Sequence, residues 1–260
     1  MMRVQDIAAH ERSFFQTGVD NAGHKFIFSQ KTIPFGNSGK QIKIVDCIRD
    51  NGDETYHKNF AHEKEQVVLH FTAGYLKGDI QALTTPNRNV SVAFVIPRSG
   101  EILRLWPSEL WSYHLGNGAS GGNEVNSKRS VGIELSNVGP LVKSGNTLKA
   151  TWGSAYCDLN ETDFYQELSS PFRDHTYYAS FTEAQYTSLI ILLDYLEEKH
   201  MIPLNFLSEA DRYNKLSGTQ INQFKGVVSH ANYRGLNNDG KWEKWDIGPA
   251  FDWDRVMDSV

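Results

Sequence analysis

Three apolar segments of the chain each contain one ionisable residue, and this pattern constrains the fold more than any other feature. The segments are "VVLHF" with His70, "VGIEL" with Glu134 and "GVVSH" with His230. Short continuous apolar runs of this kind are typical of strands that are buried on both faces. A buried imidazole or carboxylate needs a polar partner, because its burial is otherwise unfavourable. Functional sites collect at strand ends in α/β sheets, so the sequence predicts that these residues share a site.

The remaining patterns predict one mixed α/β domain. Alternating apolar positions predict strands in "KFIFSQ" and "QIKIVDCI", and "SVAFVIP" and "EILRLW" flank a hairpin turn, "RSG". The clearest helix covers 181–200, where Thr182 and Gln185 form a capping box. A weaker helix is predicted over 209–225. We interpret residues 1–60 as short strands and turns. We interpret 140–180 as a long excursion from the core without a clear period, in which a hairpin is one option.

Composition excludes several classes of function. The 260 residues carry a net charge of −5, and this lack of basic surplus argues against a nucleic-acid partner. No window is apolar enough to cross a membrane, and the N-terminus lacks the apolar core of a Sec signal peptide. We therefore expect the chain to be cytoplasmic as synthesised, and any action outside the cytoplasm to need a route other than a standard signal peptide. Cys47 and Cys157 are expected to be buried free thiols.

Two neutral imidazoles and a carboxylate are the ligands of many zinc hydrolases, which keep one coordination position for water. His70 and His230 supply the imidazoles. Asp246, Asp252 and Asp254 are the candidates for a third ligand. An aspartate next to Trp253 has an alternative role, because it can cap the terminal helix.

At this point the sequence resembles a known family. "VVLHFTAG", "VGIELSN", "FTEAQYTSLIILLDYL", "GVVSHANYRG" and "KWDIGPAFDW" occur in the order found in the zinc-dependent N-acetylmuramoyl-L-alanine amidases of the type-2 amidase family. That family includes a bacterial recycling amidase, phage lysozymes and animal peptidoglycan recognition proteins. The resemblance covers about residues 64–256 and implies the family fold, a single mixed β-sheet flanked by helices, here with an N-terminal β-rich extension.

The resemblance also implies roles for individual residues. It places the zinc ligands at His70, His230 and Asp246. Glu134 matches the glutamate that prepares the attacking water, and Lys244 matches the lysine that stabilises the oxyanion. His114 in "WSYHLG" matches, more loosely, a histidine that lines the substrate groove; the alternative is an exposed loop histidine.

The chain departs from the family pattern in three places. The usual Asp-Pro-Gly is Asp246-Ile247-Gly248 here, and the spacing from His230 to Asp246 is longer than in the shorter members. Residues 1–60 and an insertion at about 140–180 have no assignable counterpart. We therefore divide the chain into an extension, 1–60, packed on an amidase domain, 61–260.

The resemblance implies hydrolysis of the amide between N-acetylmuramic acid and L-alanine in peptidoglycan or muropeptides. Alternatives are a non-catalytic peptidoglycan-binding module and a metal hydrolase for another amide. The setting stays open between cytoplasmic recycling, an endolysin released to the cell wall through a holin, and an effector delivered to the cell wall by a secretion system. The oligomeric state stays open as well. Four aromatic residues near the motifs either bind sugar and peptide or pack the core: Trp106, Trp111, Tyr113 and Trp245.

Overall fold

A computed structural model describes residues 2–36 and 39–260 of the chain. Its helices are α1 (Val4–Thr17), α2 (Leu76–Leu83), α3 (Asn123–Arg129), α4 (Glu183–His200), α5 (Gly218–Gln223) and α6 (Trp253–Met257). Its strands are β1 (Phe26–Phe35), β2 (Lys40–Arg49), β3 (Gln66–Phe71), β4 (Phe94–Ile96), β5 (Leu103–Arg104), β6 (Ser130–Leu135), β7 (Pro140–Ser144), β8 (Thr147–Ala150), β9 (Ala155–Asp158), β10 (Tyr165–Phe172), β11 (His175–Ala179) and β12 (Gly226–Ser229). The strands form two sheets.

The larger sheet has seven strands in the order β1-β2-β5-β4-β6-β3-β12 and is mixed, as predicted. Its part from β4 to β12 is parallel. His70 on β3 is in register with Glu134 on β6, and Leu69 is in register with Ser229, the residue before His230. Parallel strands end at the same edge of a sheet, so this register brings the three ionisable residues together.

Helix α4 confirms the helix predicted over 181–200. The Thr182 hydroxyl accepts the Gln185 N–H at 3.1 Å, and the Gln185 side-chain oxygen accepts the Thr182 N–H at 3.1 Å. The Gln185 amide nitrogen also donates to the backbone oxygens of Ile96 (3.2 Å) and Ser136 (3.0 Å). The capping residue therefore fixes the start of the helix on the sheet as well as in the sequence.

The first 60 residues contain a helix, α1, where the sequence analysis predicts only strands and turns. Its buried face includes Glu11, a charged residue that interrupts the apolar pattern. The Glu11 carboxylate accepts the backbone N–H groups of Arg98 and Ser99, each at 2.9 Å. The helix was missed because this polar position is satisfied by a distant loop, which the local pattern does not show.

The two predicted strands of the extension are confirmed as the antiparallel hairpin of β1 and β2. β2 continues the main sheet by pairing with β5, where Val45 is in register with Leu103. The predicted hairpin around "RSG" is also present, with Val95 opposite Leu103 in antiparallel β4 and β5.

Residues 140–180 are more regular than the sequence predicts. They form the second sheet, which is antiparallel with the order β10-β11-β7-β8-β9. One cluster of buried side chains joins it to α1: Val4, Ile7, Val138, Leu141, Leu148, Ala150, Tyr156, Cys157 and Ala179. The extension and the insertion therefore pack against each other. β10 is largely exposed, which explains the weak strand pattern of its sequence.

Three minor points complete the fold. Within the predicted helix over 209–225, only Gly218–Gln223 is helical, and Ser217 caps it by accepting the Gln220 N–H at 3.2 Å. Cys47 and Cys157 are free and buried, as expected. Among the helices of residues 2–36 and 39–260, none combines the length and apolar character that crossing a membrane requires.

Candidate active site and metal centre

Three buried side chains converge at the carboxyl edge of the main sheet. The Nδ1 atoms of His70 and His230 lie 2.9 Å apart. Asp246 Oδ2 lies 3.0 Å from His230 Nδ1 and 3.2 Å from His70 Nδ1. These three residues are the group of potential metal ligands found among the described residues.

The spacing of these three atoms fits a small metal ion. Zinc binds nitrogen and oxygen ligands at about 2.0–2.1 Å with tetrahedral geometry, which separates neighbouring ligand atoms by about 3.3 Å. The observed separations of 2.9–3.2 Å are close to that value. Two imidazoles and one carboxylate also leave a tetrahedral ion one free position. The donor set therefore fits zinc.

The other ring nitrogen of each histidine has a protein partner. His70 Nε2 lies 3.0 Å from His114 Nδ1, and His114 Nε2 lies 2.9 Å from the Ser130 hydroxyl oxygen. The Ser130 hydroxyl donates to the backbone oxygen of Asn126 at 2.6 Å. We assign the His70 Nε2–H and the His114 Nε2–H as donors along this chain. That assignment leaves the His70 Nδ1 lone pair free for a metal.

His230 is oriented in the same way, because its Nε2 lies 2.9 Å from the backbone oxygen of Leu115. An imidazole that donates from Nε2 to a carbonyl presents an unprotonated Nδ1. Both histidines therefore direct the same atom at the centre.

Burial and charge set suitable protonation states. Burial lowers the pKa of His70 to about 4 and holds the pKa of His114 well below its usual range. Burial alone would raise the pKa of Asp246, but His230 and His70 outweigh it and hold that pKa well below the usual range. His70 and Asp246 are thus a neutral imidazole and a carboxylate at neutral pH, which are the metal-binding forms.

Glu134 lies beside the converging atoms, in register with His70. Its Oε2 is buried and makes no hydrogen bond to any described residue. Burial, and then the nearby negative charges of Asp246 and Asp79, raise the pKa of Glu134 well above its usual range. An unpartnered carboxyl with a raised pKa is suited to exchanging a proton with a ligand.

Lys244 lines the same cavity as Glu134, two residues before Asp246. The backbone of this segment is held by Arg173, which sequence analysis did not identify. The Arg173 guanidinium donates to the backbone oxygens of Lys244, Tyr213 (3.2 Å) and Ala231 (3.4 Å). Arg173 lies 71 residues before Lys244 in the sequence, and no local motif marks it.

The other two aspartates that the sequence offered as a third ligand lie outside the centre. Asp252 caps α6 by accepting the Arg255 N–H at 3.0 Å, which is its alternative role. Asp254 pairs with Arg212 at 3.1 Å. Neither is in the group of potential ligands.

Two of the four aromatic candidates are buried, and the other two line cavities around the site. Trp106 and Trp111 are buried, and Trp106 Nε1 donates to the Ser91 hydroxyl at 3.0 Å. Tyr113 and Trp245 line the cavities around the site. Sequence position alone did not separate the packing residues from the lining residues.

Three adjoining cavities form a groove across the centre. The central cavity, of about 210 Å³, is lined by His70, Glu134 and Asp246 among others. We name the cavity of about 610 Å³ beyond His114 and Lys244 the Tyr113 cavity. The cavity of about 320 Å³ beyond Glu134 is named the Asp79 cavity. Each side cavity shares lining residues with the central one, so an extended ligand can cross the centre.

The mixed sheet thus carries a His-His-Asp group that could hold a metal ion, with a glutamate beside it. The sequence profile of the N-acetylmuramoyl-L-alanine amidase family matches residues 61–248, and the chain belongs to this family. This confirms the resemblance seen in the sequence motifs. No curated protein sequence gives a significant match.

Solved structures of amidases resemble the chain at low identity. AmiD from E. coli, in complex with anhydro-N-acetylmuramic acid-L-Ala-D-γ-Glu-L-Lys, is 20% identical over 87% of this chain and 65% of its own, with a TM-score of 0.48. AmpDh3 from Pseudomonas aeruginosa is 18% identical over 78% of this chain and 61% of its own, with a TM-score of 0.44. A selenomethionine derivative of AmpD is 18% identical over 76% of this chain and 86% of its own, with a TM-score of 0.42. The chain thus spans about two thirds of the AmiD chain, and the family assignment rests on the profile.

Proposed function

We propose that this chain is a zinc-dependent amidase that cuts the amide between N-acetylmuramic acid and L-alanine in peptidoglycan or its fragments. The observation that carries the proposal is the convergence of His70 Nδ1, His230 Nδ1 and Asp246 Oδ2 within 3.2 Å of one another beside Glu134. Family membership supplies the substrate class.

His70, His230 and Asp246 would hold the zinc ion. Bound zinc supplies Lewis acidity, which makes the scissile carbonyl a better electrophile and makes water more acidic. His114 and Leu115 position the two imidazoles through their Nε2 atoms. His114 is thus proposed to support the metal centre while its ring also lines the groove.

The chain's own residues carry the protons. Glu134 takes a proton from the attacking water, whose oxygen adds to the carbonyl carbon. The C–N bond then breaks, and Glu134 passes the proton to the leaving nitrogen of L-alanine. Lys244 offers positive charge to the carbonyl oxygen as it becomes negative. The products are a carboxylic acid on the lactyl group of the sugar, which loses its proton to solvent at neutral pH, and a peptide with a free amine.

The test combines elemental analysis with mass spectrometry of products from purified muropeptides. We expect about one zinc per chain and release of a peptide that begins with L-alanine. The matched variant is Glu134→Gln, which keeps the side-chain shape and should retain zinc while turnover falls by about 10²–10⁴-fold.

Other outcomes would contradict the proposal in distinct ways. Zinc without cleavage by the wild type would indicate a peptidoglycan-binding module or a hydrolase for another amide. Near wild-type turnover by Glu134→Gln would exclude Glu134 as the general base.

A further inference from the structure

We propose that Arg234 is a positioning residue for the reaction. It occupies both carboxylate oxygens of Glu243, so that the ammonium of the next residue, Lys244, is left for the carbonyl oxygen of the substrate. This inference rests on the proposed function, because it explains how Lys244 is kept available for the role assigned to it there.

Glu243 places a carboxylate beside the lysine that stabilises the oxyanion. The two residues are consecutive in the chain, and both line the central cavity. Opposite charges in one partly buried cavity attract each other more strongly than at an open surface, because water and salt screen them less. An ion pair between Glu243 and Lys244 would draw the ammonium away from the reacting carbonyl. A carboxylate at this position is therefore compatible with the role of Lys244 only if another cation holds it.

Arg234 supplies that cation. Its Nε donates to Glu243 Oε2 at 2.8 Å, and its Nη2 lies 2.6 Å from Glu243 Oε1. This is the strong, two-point form of an arginine–carboxylate pair, since each oxygen has its own N–H donor. The Arg234 side chain is 12% exposed, so solvent screens the pair only in part. Lys244 forms no ion pair with any carboxylate of the described residues, and the neighbouring Asp246 pairs with histidines instead.

The guanidinium of Arg234 is fixed from two sides of the centre. The Arg234 backbone N–H donates to the backbone oxygen of the ligand His230 at 3.2 Å. Its remaining guanidinium nitrogen, Nη1, donates to the backbone oxygen of Asn117. Asn117 lies two residues after Leu115, whose backbone oxygen orients His230. Arg234 therefore joins Glu243 to the segments that hold the strand-borne ligand.

The test measures kcat, KM and zinc content for three variants with purified muropeptides. In Arg234→Ala the Glu243 carboxylate becomes available to Lys244. We expect kcat to fall by about 10–100-fold, approaching the loss of about 10²–10³-fold that follows removal of an oxyanion-stabilising donor. KM and zinc content should keep their wild-type values, because Lys244 acts in the transition state and no ligand is removed.

The second and third variants separate this role from a merely structural one. The double variant Arg234→Ala/Glu243→Gln should recover most of the lost kcat, because the competing charge is gone. Glu243→Gln alone should cost much less than Arg234→Ala. If Arg234 only anchored the loop, the double variant would stay as slow as Arg234→Ala, and this result would overturn the proposal. A loss of zinc that matches the loss of kcat would overturn it as well.

The matched control is Arg212→Ala. It breaks an ion pair with Asp254 that lies outside the centre, and the arginine side chain is buried to the same degree, 13% exposed against 12% for Arg234. The control should lower stability and leave kcat unchanged. A fall in kcat as large as that of Arg234→Ala would show that loss of any buried guanidinium slows the protein, and would contradict a specific role for Arg234.

Crystal structures of the wild type and of Arg234→Ala separate this inference from the proposed function, because they need no turnover. In the variant we expect the Lys244 ammonium to lie about 2.7–2.9 Å from the Glu243 carboxylate. A Lys244 side chain that keeps its wild-type position would overturn the proposal. Absence of cleavage by the wild type together with a displaced Lys244 in the variant would contradict the proposed function and support the pairing.

Discussion

The candidate centre combines residues from two regions that are held in different ways. His70, Glu134 and His230 lie on adjacent parallel strands or directly after one, so backbone hydrogen bonds and strand register fix their positions. Asp246 and Lys244 lie in a segment whose strand pairing is a single bridge between Leu236 and Trp242. The same centre therefore depends on a rigid edge and on a loop.

The loop obtains its order from side chains of the insertion. Arg173 donates to the backbone oxygens of Lys244, Tyr213 and Ala231, and Trp245 Nε1 donates to the Arg173 oxygen at 3.1 Å. The Ala231 backbone N–H donates to the backbone oxygen of Asp246 at 2.7 Å. The comparison teaches that a distant residue fixes the backbone of the loop-borne ligand, whereas strand register fixes the backbone of the strand-borne ligands.

The largest effect should follow from removing a ligand of either kind. We expect His70→Ala and Asp246→Ala each to weaken zinc binding by at least about 10²-fold, because each removes one of three protein donors. Competition with a chelator measures this loss. Asp252→Ala is the control, since Asp252 caps α6 and should cost about 1 kcal/mol of stability without loss of zinc. Retention of full affinity by Asp246→Ala would remove the loop from the centre.

The next largest effect tests whether Arg173 orders the loop without affecting the strands. Arg173→Ala should weaken zinc binding and lower kcat/KM by about 10–100-fold, because the loop loses its anchor. Hydrogen exchange should become faster in residues 233–246 and stay unchanged in β3. Arg255→Ala, which removes a surface ion pair with Glu183, should change neither. Equal acceleration in β3 would mean that Arg173 stabilises the whole domain and not the loop.

A smaller effect is expected for the residues that orient His70, the ligand on β3. His114→Ala removes the group that pairs with His70 Nε2, and we expect zinc affinity to fall by about 10-fold. Ser130→Ala acts one hydrogen bond further away and should have a weaker effect. The order of the two losses, measured by chelator competition, checks the assigned chain of donors; a larger loss for Ser130→Ala would reverse it.

The smallest effect is expected for Asp79, and it concerns the pH dependence of the protein's stability. Burial raises the pKa of Asp79 to about 7, whereas an unfolded aspartate titrates near 4. Between these values the folded state binds more protons, so stability falls as pH rises through this window. Each pKa unit corresponds to about 1.4 kcal/mol.

Asp79→Asn removes this dependence. Its melting temperature should therefore drop less than that of the wild type between pH 5 and pH 8, by a few degrees. An equal drop in melting temperature for the two proteins between pH 5 and pH 8 would show that Asp79 titrates normally in the folded state.

Sequence patterns predicted the part of the fold whose cause is local. The buried strands around His70, Glu134 and His230 and the capped helix α4 are each visible in a few consecutive residues. Helix α1 was missed because Glu11 on its buried face is satisfied by the backbone of Arg98 and Ser99. The second sheet was missed because its partner surface is α1, more than 100 residues earlier in the chain.

By itself, the sequence determined the family, the mixed sheet and the residue types that a metal hydrolase needs, because short motifs keep their order and chemistry along the chain. The residue pattern alone left three aspartates open, and the family resemblance indicated Asp246. Only the tertiary structure showed that the Asp246 carboxylate lies with His70 and His230 and that Arg173 holds its loop. Those relations depend on strand register and on contacts between residues that are far apart in sequence, and no local pattern encodes them.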